Sequence, residues 1–158
     1  MKRTEELASR FREVVLNGTW VANTNYKDQL SQVDWKEATT KVGSLNTLAL
    51  LAFHINYYIA GINEVFRGGD LVIRDKYSFD MSPITSEQEW QDLLSSFWTN
   101  AEEFAQHVEN LEEETLGAIF VKEQYGTYQR SIDGMIEHCY CHLGQVTIIR
   151  KMIREGMA

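Results

Sequence analysis

Of the four histidines in this chain, three stand where they could close on one ion: His54 in an apolar stretch, and His138 with His142 near the C-terminus. The last two are spaced H-x3-H. On an α-helix that spacing puts both imidazoles on one side, about 40° apart around the axis and roughly 6 Å apart along it. Three neutral imidazoles suit Zn²⁺, Ni²⁺ or Fe²⁺ and leave at least one coordination position for water or substrate. A single half-buried histidine reads as a packed core residue. Two adjacent ones cannot both be protonated cheaply and all their ring nitrogens need partners, so a shared ion becomes the simple solution once a third imidazole can reach it. The zinc-protease motif needs a glutamate directly after the first histidine, whereas here Cys139 follows His138 and Glu137 points to another side. That protease class is not supported. Gln145, one turn beyond His142, and Tyr57 and Tyr58 near His54 are candidate pocket groups, but no general base emerges. Cys141 is directed outward from the site and reads as a packing or subunit contact. His107 reads as a helix-end histidine, and the run Glu112, Glu113, Glu114 as a solvated acidic end.

The elements that must carry these residues follow from apolar periodicity. Residues 3 to 16 place Leu7, Phe11, Val14 and Val15 on one stripe, a first helix ended by Asn17 and Gly18. A mixed polar and aromatic passage follows, expected to be an extended stretch and a short helix around 24 to 32 before a loop. Ser44 is the expected N-cap of a second long helix, whose apolar positions run from Leu48 to Phe66 before Gly68 and Gly69. Residues 70 to 83 have no helical period and predict an irregular connection, the kind that rims sites. Ser86 and Glu89 form a capping box for a third helix through Leu111. Residues 112 to 127 read as a connection packed on the bundle end. A fourth helix is expected from about Tyr128 to Glu155, capped by Gly156. It is apolar on two sides: Ile132, Met135, Cys139, Val146 and Ile153 on one, Cys141, Ile148 and Met152 on the other. The second side requires a cover, either a subunit partner or a packed N-terminal segment.

The 158 residues suit one domain, 1–158, of all-α class, since the single proline, Pro83, leaves long stretches free to be helical. A net charge of −8 argues against nucleic acid and against an anionic membrane surface. Arg150, Lys151 and Arg154 are read as the basic last turns of a helix complementing its dipole. Cys139 and Cys141 diverge on the helix and cannot pair. No secretory signal is recognisable, and residues 45 to 62 carry Asn46, His54 and Asn56, so they read as a buried helix rather than a membrane span; the expected location is cytoplasmic.

The segments LLAFHINYYIAG around His54 and IEHCYCHLGQVTIIRKMI around His138 and His142 resemble the DinB/YfiT-like superfamily of metalloenzymes. The order and spacing of elements agree over nearly the whole chain, including the lead-in from NGTW to SLNTLALLAFH. The resemblance implies a four-helix bundle of up-down-down-up arrangement with a long crossover, a divalent metal on His54, His138 and His142, and a homodimer. Some relatives are transferases or isomerases that use a low-molecular-weight thiol, and with an open metal position that could activate water or a thiol the leading expectation is a cytoplasmic metal-dependent hydrolase or thiol-dependent transferase acting on a small electrophilic molecule. The competing reading is a non-catalytic dimeric bundle that binds a metal or small ligand for sensing, sequestration or stability.

Overall fold

Each long helix starts where a side-chain oxygen can take a backbone N–H that the helix itself leaves free. In the computed structural model, which describes residues 1–158, Thr47 caps Leu50, Ser86 caps Glu89 and Thr127 caps Arg130. Six α-helices result: α1 (Arg3–Arg12), α2 (Tyr26–Leu30), α3 (Trp35–Thr39), α4 (Leu48–Phe66), α5 (Glu87–Glu109) and α6 (Tyr128–Arg154). There is no sheet, only one isolated bridge between Ile119 and Thr127. The all-α expectation is met.

Some boundaries differ from expectation. The cap of α4 is Thr47 rather than Ser44, three residues later, because the chain first turns through Gly43 at φ +53°. The first helix does not stay α to residue 16; it widens into a π turn over Glu13–Asn17. Residues 35–39, read as loop, form α3 because Asp34 accepts from the Glu37 amide. Around Ser86 the capping box is half formed: Ser86 takes the Glu89 amide, while the Glu89 carboxylate turns back to the Thr85 amide and hydroxyl.

The core is one cluster of 31 buried residues drawn from all six helices. Phe11 of α1 meets Phe104 of α5 at a centroid distance of 4.3 Å. Trp90 is fully buried and its indole N–H donates to the Val33 carbonyl at 2.7 Å, fixing the turn before α3 onto α5. Between α4 and α5 the packing is partly polar: Asn100 donates to Asn56 at 2.8 Å and Asn63 to the Asn100 carbonyl at 2.9 Å. These bonds fix the rotation of α4 about its axis, and so the direction of His54.

One side of α6 faces this core. The N-terminal segment packs on that same side, at Cys139 and Arg150, and not over the second apolar side as one of the two expected covers would require. Tyr26 of α2 is fully buried and donates its hydroxyl to the Cys139 carbonyl at 2.8 Å, next to His138. Cys141 and Ile148 remain exposed, Ile148 by 58%. Of the three basic residues read as complementing the end of the last helix, Lys151 and Arg154 stand in its last turn, while Arg150 is buried under the N-terminal segment, with Nη1 donating to Gln29 Oε1 at 3.1 Å. Its Nε and Nη2 have no hydrogen-bond partner. No helix is long and apolar enough to cross a membrane.

Candidate metal centre

His54 is the seventh residue of α4, on its buried face; His138 and His142 stand one turn apart in the middle of α6. Packing of α4 on α6 brings the three together, with ligand nitrogens all within 4.8 Å of one another. The closest pair is His54 Nε2 and His138 Nε2, at 3.1 Å. Nitrogens bound to a tetrahedral zinc at about 2.0–2.1 Å stand roughly 3.3 Å apart, so this separation fits a shared ion. Ring planes cross at 73–80°, so each imidazole approaches the common point from its own direction.

Two of the three tautomers are set by the protein. His54 Nδ1 lies 3.2 Å from the Ser78 carbonyl, which can only accept, so Nδ1 holds the proton and Nε2 presents a lone pair. His142 Nδ1 donates to Gln145 Oε1 at 2.8 Å and frees its Nε2 in the same way. An imidazole whose far N–H is tied to an oxygen acceptor is the usual state of a metal-ligating histidine. Burial, with the neighbouring charges of His142 and His54, pushes His138 down to about 4; burial also lowers His54. All these effects favour the neutral, ligating form. The donor set therefore fits a divalent ion. Its three nitrogens admit zinc, nickel or iron alike.

The irregular segment 70–83 completes the site. Its Phe79 ring stacks on His54, with centroids 4.0 Å apart and an 8° interplanar angle. Tyr57 clamps it by donating to the Arg74 carbonyl at 3.1 Å and accepting from the Arg74 amide at 2.9 Å. Tyr58, edge-on to both His54 and His138, donates its hydroxyl to Asp75 Oδ1 at 2.8 Å. Asp75, Ser78 and Phe79 are the residues sequence reasoning did not find. The only signal for them was the lack of helical period over this stretch. Beside His138 opens a cavity of about 320 Å³, walled mainly by Tyr58, Ile62, Leu71, Phe120 and Met135, with Asp75 at its exposed rim.

The remaining sequence candidates stay outside. Cys141 is exposed and is not among the grouped donors, and Cys139 is fully buried with its thiol pushed up by desolvation. His107 bonds Glu103 at 3.3 Å and stacks on Phe66. Of the acidic run, Glu113 accepts the Thr4 amide at 3.0 Å.

Comparison of the chain with protein-family models, curated proteins and solved structures finds no match.

Proposed function

We propose that the chain is a metal-dependent enzyme of DinB/YfiT-like four-helix type, a hydrolase or thiol-dependent transferase acting on a small electrophilic molecule. The observation that carries this is the convergence of His54, His138 and His142 with two of their outward N–H groups already tied to Ser78 and Gln145. A divalent ion held there supplies Lewis acidity toward a substrate atom, a water or a thiol. The chain's own residues do the rest. Phe79 shields the His54 face, Tyr58 and Asp75 present a hydrogen-bonded phenol and carboxylate toward the cavity, and the apolar wall holds a small molecule against His138. The cavity is what favours turnover over storage, since a purely structural ion would be sealed by a fourth protein ligand. A homodimer fits the exposed apolar side of α6, where Leu45 and Ile148 share one shallow depression with Gln145.

Elemental analysis after reconstitution with Zn²⁺, Ni²⁺ or Fe²⁺ tests the reading. One equivalent per chain is expected, falling to near zero in His138→Ala, with hydrolysis or thiol transfer lost in parallel. Full metal content in that variant would overturn the ligand set. Stoichiometric metal without either activity would leave a storage or sensing protein.

A further inference from the structure

Three of the hydrogen-bonding side chains around the cavity beside His138 share a property that restricts what can bind there. Tyr58 uses its hydroxyl proton on Asp75 Oδ1, at 2.8 Å, so toward a ligand its oxygen offers lone pairs. Ser131 uses its proton on the Tyr125 carbonyl, at 3.3 Å. Asp75 is a carboxylate and accepts only. These three polar side chains are thus acceptors with their own protons committed; the exposed Tyr125 hydroxyl stands apart from them, and no lysine or arginine lines the cavity. The neighbouring cation, Arg130, is held by Glu137 at 3.0 Å. Donor-poor walls of this kind penalise a carbonyl or carboxylate at the Asp75 end, where acceptor would face acceptor, and favour a group rich in N–H. His138 also lines the cavity, beside the point the three imidazoles share, where a bound ion would accept a lone pair. The rest of the wall is mainly apolar, and 320 Å³ lies at the small end for ligand cavities.

We propose that this cavity binds small primary amides carrying an apolar body, with the amide N–H groups at Asp75 and Tyr58 and the carbonyl turned toward His138. The amide then becomes the electrophilic group of the substrate. This deepens the functional reading given above and rests on it for the reacting end, but the binding itself is tested without any ion.

The full chain, stripped with chelator, is titrated by amide-proton NMR with three probes of one shape: benzamide, acetophenone and benzoate, each up to about 10 mM. Acetophenone replaces the NH₂ of benzamide by methyl; benzoate replaces it by a charged acceptor. Shifts at Phe120, Gly134 and Met135 are expected, with benzamide binding about tenfold more tightly than acetophenone and benzoate weakest. In Asp75→Ala the Tyr58 hydroxyl is released to donate, so benzamide loses about tenfold while acetophenone holds or tightens. Equal affinities for benzamide and acetophenone, a preference for benzoate, or no shift with any probe would overturn the proposal. The wild-type ranking decides even if the variant fails to fold. Metal content measured before stripping reports on the histidine cluster separately, so the two readings fail independently.

Discussion

Gln145 is exposed and buries little, yet its Oε1 receives the Nδ1 proton of His142 at 2.8 Å. Its worth therefore lies in aiming an imidazole, not in packing. Replacing it by alanine leaves His142 free to rotate and to hold its proton on either nitrogen. Gln145→Ala is expected to weaken divalent-ion affinity by about 10- to 100-fold, measured by competition with a chromophoric chelator, with little change in the melting temperature of the ion-free protein. His142→Ala removes a ligand outright and is expected to go below the measurable range. If the Gln145 variant bound the ion as tightly as the wild type, the hydrogen bond would have no orienting role. Ser78 serves His54 in the same way through its backbone carbonyl, a contact no side-chain substitution can delete.

At the level of elements, the site joins two regular helices to one irregular strap, and the join depends on Gly61. A Cβ at that position would lie 2.4 Å from Ile73 Cγ2, so the strap reaches α4 only because residue 61 has no side chain. Gly61→Ala is expected to destabilise the fold by about 1–3 kcal/mol in denaturant titration and, by lifting the segment that carries Asp75, Ser78 and Phe79, to reduce ion affinity as well. An unchanged affinity would show that the strap is not needed to hold His54. What the sequence made legible divides along the same line. The helices α4, α5 and α6 announce themselves through apolar positions every three or four residues, and H-x3-H follows once α6 is a helix. The strap has no period to read. Its Ser78 contributes a backbone carbonyl, which has no residue signature, and Asp75 becomes interesting only when Tyr58 is seen to reach it across 17 positions. The five-residue α3 is too short for periodicity, and its start depends on one Asp34 cap.

For the molecule as a whole, His138 and His54 give stability a pH dependence. His138 is held down to about 4 from 6.5, first by burial and then by its two histidine neighbours, so the folded chain keeps it neutral where the unfolded chain takes up a proton. Stability of the ion-free protein from this group is complete above about 6.5 and is lost progressively as pH falls toward about 4. Thermal melts across that window are expected to show the fall, and His138→Gln to flatten it; a flat wild-type profile would contradict the burial argument. Assembly is tested at the other side of α6: Ile148→Glu places a charge on a side chain 58% exposed in the single chain and is expected to shift a dimer toward monomer in sedimentation. An unchanged coefficient would remove that face as the contact. Arg150 has a different consequence. Desolvation and Arg154 lower its pKa, its Nε and Nη2 go unpartnered, and Glu37 comes no closer than 3.9 Å. A buried guanidinium with one hydrogen bond, to Gln29, and two unpartnered nitrogens costs the union of the first forty residues with the last helix part of what that bond contributes. That cost falls on the seam where the two ends of the polypeptide meet.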